Sequence, residues 1–394
     1  MNNTIPNPQQ LIYIATLLFL GAFNLQAQHA ATADTVSLDL LFVGDIMGHD
    51  SQIASAEVVK DSMYDYTPCF EWVRPIIQKA DLAIGNLELT LPGKPPYKGY
   101  PRFRSPDDLA LALRHAGFDV LVTSNNHSND GGKMGVINTI LTLDDYYFYH
   151  TGTFQNQKIR DAYYPLIIYK GPFKLAILNY TYGTNGLPTK APTIVNEIDE
   201  KQIEKDMAEA EALGPDAVIV IMHWGQEYQL NENREQQKLT DKIFDWGADL
   251  VIGAHPHVIQ PVKTRPLPKD ENKTGLVAYS LGNFISGQRK TNTDGGLMLE
   301  VTLKKALSTG STFVDTHNYI PVWRYIEKGE DKTSTYRLIP ISAFEQNPTY
   351  KAKIPTAAWE SMSAFAKRMR THLGKHDSSE RKLSLPDLFT EDNN

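Results

Sequence analysis

The chain of 394 residues contains a single cysteine, Cys69. No disulfide can form within it, so a protein of this length draws its stability from a buried core. Cys69 lies between Pro68 and Phe70, a setting for a packed side chain rather than a reacting thiol. An excess of positive charge is also missing. The formal net charge is -7, which argues against a nucleic-acid partner. The apolar stretch 11–23 is shorter than a typical membrane span and has the length of a signal-peptide core. Small residues follow at Ala27 and Ala30, so residues 1–30 read as a secretory signal. Positions 1–10 carry no Lys or Arg, and the alternative is an uncleaved anchor. The stretch has no cysteine for lipid attachment.

What is present is globular, with 41% hydrophobic and 22% charged residues. Apolar runs predict strands over 38–43, 81–84, 120–122, 217–221 and 250–252. Helical spacing occupies 68–79, 106–115, 133–145, 198–213 and 234–246. Gly171-Pro172 between the runs 166–169 and 174–178 signals a hairpin. This alternation predicts the α/β class. Beyond residue 275 the chain becomes β-rich, which suggests a second sheet packed on the first. Residues 355–373 read as a helix, and 374–394 as a polar tail expected to be mobile. The expected division is a signal over 1–30, a main domain over 37–345, and a C-terminal helix and tail over 346–394.

In α/β sheets, ligands bind beyond the carboxyl ends of the strands. Gly253-Ala254-His255-Pro256-His257 follows one such strand, and two histidines one residue apart have metal-ligand spacing. Other strand-like runs end in Gly44-Asp45-Ile46-Met47, Gly85-Asn86-Leu87-Glu88, Asn125-Asn126-His127 and Met222-His223-Trp224. Ser280-Leu281-Gly282-Asn283-Phe284 completes the series. Converging carboxylates and imidazoles can hold Mn, Fe or Zn, and two ions can clamp a phosphate and activate water. Each residue also has a structural reading. Asp45 can cap a helix, Asn86, Glu88 and Asn126 can make turn bonds, and His223 can be a satisfied core histidine. Ser128 and Asp130 read as local caps or ligand holders, and Asn283 as a backbone clamp. His115 and His150 read as structural.

These six motifs, in order from about residue 38 to 285, resemble the bacterial CapA family, the poly-γ-glutamate capsule synthesis proteins. That family is similar in turn to the calcineurin-like metallophosphoesterases. The resemblance implies a metallophosphoesterase-like, four-layer α/β/β/α sandwich with one or two divalent metal ions. By motif it implies Asp45, Glu88, Asn126, His223, His255 and His257 as metal ligands and His127 as the catalytic group near the leaving atom. Asn86 competes with Glu88 for the bridging position. Two departures stand out. The phosphoesterase pattern Asp-x-His has Met47 at its histidine position, with His49 two residues further on. The bridging aspartate is replaced by Asn86 or Glu88.

Between the second and third motifs, Lys94, Lys98, Arg102 and Arg104 interleave with Tyr97, Tyr100 and Phe103. This segment reads as an anion-binding loop or as a solvated Pro-rich surface. Arg102 and Arg104 are the expected substrate contacts, since Arg grips carboxylate or phosphate bidentately, with Asn86 and Asn283 beside them. The functional expectation is an exported protein of the periplasm or cell envelope. It would make, export or modify an anionic polymer such as poly-γ-glutamate through a metal-dependent hydrolase or transferase site. The expected partners are that polymer or a phosphoester substrate and envelope assembly proteins, with membrane association if the signal is retained. The rival readings are a non-catalytic polymer-binding scaffold and a general secreted metallophosphoesterase.

Overall fold

The computed structural model describes residues 34–60, 62–329, 334–374 and 379–383. The expected signal segment 1–30 and residues 384–394 of the tail lie outside the described residues. Among the described residues no helix is long and apolar enough to cross a membrane.

The first sheet begins with β1 (Thr35–Ile46), β2 (Leu82–Leu87), β3 (Val120–Val122) and β4 (Tyr149–Thr151), paired in parallel in that order. All residues of β2 and β3 are buried, as expected of a parallel strand covered on both faces. The helix over Asp108–Ala116 connects β2 to β3 and stops at Gly117, whose φ of 110° suits a helix end.

The second sheet is built from β5 (Leu166–Lys170), β6 (Phe173–Thr181), β7 (Ala217–His223), β8 (Leu250–Ala254), β9 (Val262–Leu267) and β10 (Asp270–Ala278). Its order is β9–β10–β8–β7–β6–β5. The helices Glu200–Ala212 and Arg234–Asp245 serve as its crossovers. Asp199 caps the first by accepting from Gln202 N, and Asn233 forms a reciprocal capping box with Gln236 on the second.

The chain then returns to the first sheet through β11 (Asn283–Ile285), β12 (Gly295–Ala306), β13 (Thr312–Lys328), β14 (Ser334–Pro340) and β15 (Ser379–Glu380). On the edge of β1 away from β2, the short β11 pairs in parallel with the end of β1, while β12, β13 and β14 extend the sheet antiparallel. The C-terminal strands therefore do not form the second sheet, as their position in the sequence suggested. They widen the first, and the second comes from the middle of the chain. Alternating apolar residues announce a strand, but its partner is chosen by packing.

The two sheets face each other. Leu40 and Phe42 of the first share one core with Ile177, Ile219, Ile221 and Ile252 of the second. On the second sheet's outer face, Leu178, Val220 and Val251 pack with Ile203 and Met207 of one helix and Ile243 and Phe244 of the next. Leu109 and Leu113, with Phe365 of the C-terminal helix Thr356–Leu373, pack in the core shared by the first sheet. The result is the expected α/β/β/α sandwich.

Two local expectations change. The helix over 68–79 is two short helices, Thr67–Phe70 and Arg74–Lys79, with Pro75, which has no N–H to donate, in the first turn of the second. The tail is not free throughout. β15 pairs with β13, Arg381 bonds Glu300, and Leu383 is fully buried.

Candidate functional site

The carboxyl ends of β1, β2, β3, β7 and β8 meet at one edge of the sandwich. Asp45 is aligned with Asn86 on β2 and with Asn283 on β11. The β1–β2 register shifts between Val43 and Asp45, a bulge that re-aims the following side chain. Gly44 sits in the bulge because a Cβ there would lie 1.8 Å from the Gly282 carbonyl oxygen. On the second sheet, His223 is the last residue of β7 and is aligned with Ala254, the last of β8. His255 and His257 follow with φ of 96° and 58°. Non-glycine residues in this region cost about 1–3 kcal/mol each and cluster at functional sites.

Asp45, Glu88, Asn126, His127, His223, His255 and His257 are all buried together. His257 Nδ1 lies 2.9 Å from Asp45 Oδ2 and 3.1 Å from Asn283 Oδ1. The Asn283 amide nitrogen donates to Gln288 Oε1 and to the Thr293 carbonyl, so its oxygen faces His257. Both neighbours of Nδ1 are acceptors, which places the proton on Nδ1 and leaves the Nε2 lone pair free. Nε2 looks toward Glu88 Oε1 at 3.8 Å. His223 Nε2 meets Asn126 Oδ1 at 2.9 Å and Glu88 Oε1 at 3.5 Å.

Two donor groups emerge, Glu88 with His255 and His257, and Asp45 with Glu88 and His223. In each, the ligand atoms lie within 4.8 Å of one another, and Glu88 belongs to both. Neither Glu88 oxygen has a hydrogen-bond partner, and the buried Nδ1 of His255 has none either. A buried carboxylate without donors is costly unless a cation completes it. The site therefore fits divalent metal in its donor types and in its unsatisfied atoms. Burial and the charge of Asp45 push the Glu88 carboxyl well above its ordinary range. Burial also raises Asp45, but the hydrogen bonds from His257 and the Asn86 amide bring it below the ordinary value. Burial, then the charges of neighbouring histidines, holds His223 well below the usual imidazole range and His255 at about 3. These rings are neutral at physiological pH, the form that binds metal.

His127 lies at the same edge. Its Nδ1 donates to Asp130 Oδ2 at 2.7 Å, and that oxygen also accepts the Phe103 N–H. Asp130 is thus the residue that orients His127. Asn125 ties the loops together: its amide donates to the Leu87 carbonyl, and its oxygen accepts the His127 N–H. Tyr182 covers His255 with ring centroids 4.6 Å apart. Sequence reading assigned no role to Asn125 or Tyr182, and the positive φ at non-glycine His255 and His257 left no mark in the sequence.

Asn86 and Asn283 were expected at the substrate, and the structure gives them other partners. The Asn86 amide donates to Asp45 Oδ1 at 2.9 Å, and its oxygen accepts from Asn125. Both asparagines are buried and hold ligand side chains in place. Arg102 is exposed and Arg104 half-buried. They flank Phe103, whose ring lies 4.6 Å from that of His127, so the basic loop borders the site. Met47 is buried in the core, its sulfur 3.5 Å from Ser286 Oγ. His49 packs on Phe103 and accepts the Gly287 N–H at 3.1 Å.

These features define a class, an α/β sandwich with a buried carboxylate–histidine cluster compatible with divalent metal. The chain belongs to the bacterial capsule synthesis protein PGA_cap family, whose model matches residues 39–288. It is 28% identical over 327 residues to the capsule biosynthesis protein CapA of Bacillus anthracis, covering 80% of this chain and 72% of that one. It is 28% identical over 329 residues to the PGA biosynthesis protein CapA of Bacillus subtilis strain 168, covering 79% and 80%. Among solved structures it is similar to the calcineurin-like phosphoesterase YfkN from Bacillus subtilis, with 14% identity, TM-score 0.42, and 73% and 90% of the two chains covered. It is also similar to a phosphatase from Mycoplasma pneumoniae, with 16% identity, TM-score 0.41, and 73% and 94% covered.

Proposed function

We propose that the protein is exported to the cell envelope and acts there in capsule synthesis, on an anionic polymer such as poly-γ-glutamate or on a phosphoester, through a divalent-metal hydrolase or transferase centre. The observation that carries this reading is Glu88, whose two unpartnered oxygens belong to both donor groups. Asp45, Glu88, Asn126, His223, His255 and His257 would hold one or two ions of Mn, Fe or Zn. Such an ion supplies Lewis acidity toward a substrate oxygen and makes water a nucleophile near neutral pH. Asp130 keeps the His127 proton on Nδ1, so Nε2 is the atom that exchanges a proton with the leaving group. Asn86 and Asn283 fix the orientation of Asp45 and His257. The exposed Arg102, with Arg104, would steer the anionic substrate to this edge.

One observation favours a second reading. Met47 occupies the place of an expected ligand and is spent on Ser286 and the core. A family member that kept the fold and lost catalysis would be a polymer-binding scaffold. Metal content decides between them. Elemental mass spectrometry of the purified protein should find close to two ions per chain, with loss in His255→Ala. A chain that stays metal-free after incubation with manganese or zinc would overturn the hydrolase reading and leave the scaffold.

A further inference from the structure

A cavity of about 390 Å³ is lined by Leu230, Ile259 and Asn292 on one side and by the C-terminal helix on the other. Small-molecule sites run from about 300 to 1,000 Å³. Its walls use the same loops as the cluster. Ile259 comes just after His257, Leu230 just after Tyr228, and Asn292 just after Lys290. Those three leading residues touch one another in series: the Tyr228 ring is 6.2 Å from that of His257, and Lys290 Nζ sits 3.6 Å over the Tyr228 ring. The buried Gln260 amide donates to the carbonyls of Gln229 and Asn231, which fixes the Leu230 loop. The opposite wall is the C-terminal helix.

The lining is divided in character. Leu230, Ile259, Phe365 and Met369 are apolar. Lys367 and Arg368 add positive charge, and no carboxylate lines the cavity. Arg368 is held in place by its Nε bond to Asn292 Oδ1 at 2.7 Å. A purely polar polymer gains nothing by entering an apolar chamber. A hydrocarbon chain gains by leaving water, and a cationic rim suits an anionic head.

We propose that this cavity binds the hydrocarbon chain of an anionic amphiphile, a single alkyl or prenyl chain ending in a phosphoester that Lys367 and Arg368 hold without metal and present to the donor cluster once metal is bound. The inference rests on the cluster being the anion-handling centre proposed above. It makes the substrate, or the carrier on which the substrate arrives, lipid-linked.

The test is calorimetric titration of the full chain in EDTA with inorganic phosphate and with butyl, hexyl and octyl phosphate, each below its micelle concentration. Affinity should rise by up to about fourfold per added methylene until the cavity is filled. Leu230→Asn, on a loop, and Met369→Gln, on the helix, should each flatten that rise and leave inorganic phosphate unaffected. A series that is flat in the wild type, or a rise that survives both substitutions, overturns the proposal. Binding to phosphatidylglycerol vesicles alongside a flat series would assign the affinity to a lipid surface and overturns it equally. Because the series is read without metal, its failure is separable from that of the metal centre. Two bound ions with a flat series would sink this inference alone.

Discussion

The Glu88 carboxylate stands 3.5 Å from His223 Nε2, yet no hydrogen bond joins them. Both groups are fully enclosed, and both are pushed toward their neutral forms, mainly by burial. Ionising Glu88 in this enclosure creates an electrostatic tension that a bound cation would relieve.

Stability should report that tension. The raised Glu88 value means that its neutral form fits the metal-free fold better than the carboxylate. This contribution is complete below the unfolded value of about 4.3 and is lost as pH rises through the folded value. In EDTA, the melting temperature of Glu88→Gln relative to wild type should therefore improve as pH rises from about 4 to about 8. A difference independent of pH would show that the carboxylate carries no penalty.

Asn283 fixes the His257 tautomer through a 3.1 Å contact, its amide nitrogen being spent on Gln288 and Thr293. Asn283→Ala should weaken manganese or zinc binding by about 10- to 100-fold. Competition against a fluorescent chelator measures this, with the circular dichroism spectrum unchanged. Unaltered affinity would mean that Asp45 alone orients the ring.

Asp130 orients His127 and is absent from both donor groups. Asp130→Asn should leave the metal content intact. If His127 protonates the leaving group, the variant should lose on the order of 100-fold in turnover on aryl phosphate esters with poor leaving groups. Esters with good leaving groups should suffer less. Equal losses on both would assign Asp130 to positioning of the loop alone.

A Cβ at Gly44 would collide with the Gly282 carbonyl. Gly44→Ala must push β11 away from β1, and we expect a loss of about 1–3 kcal/mol in urea unfolding. Metal affinity should fall with it, because Asp45 is the next residue. Full stability in the variant would mean that the bulge opens freely.

Much of this site could be read from the chain because donors at carboxyl strand ends are a property of α/β topology, and each donor is preceded by an apolar run. What could not be read was defined by distance across the fold. Asn125 meets Asn86 and Leu87, far away in sequence, and Tyr182 covers His255 from the end of a strand that carries no motif. Asp130 looked like a local cap because its partner His127 is three residues away, and only the Phe103 N–H on its other side reveals a held imidazole. Residues 379–383 looked like free tail because their polar composition hides the one apolar anchor, Leu383.

Asp45, Glu88 and Asn126 are carried by loop ends of the first sheet, and His223, His255 and His257 by the second. The cluster therefore exists only when the two layers are in register. An ion bound there would act as a rivet through the sandwich, resisting shear of one sheet over the other. Half-assembled chain would bear half a ligand set, so tight metal capture would be the last event of folding. An ion held from both layers would leave more slowly than one held from either alone, making its off-rate a gauge of how firmly the sheets are clamped.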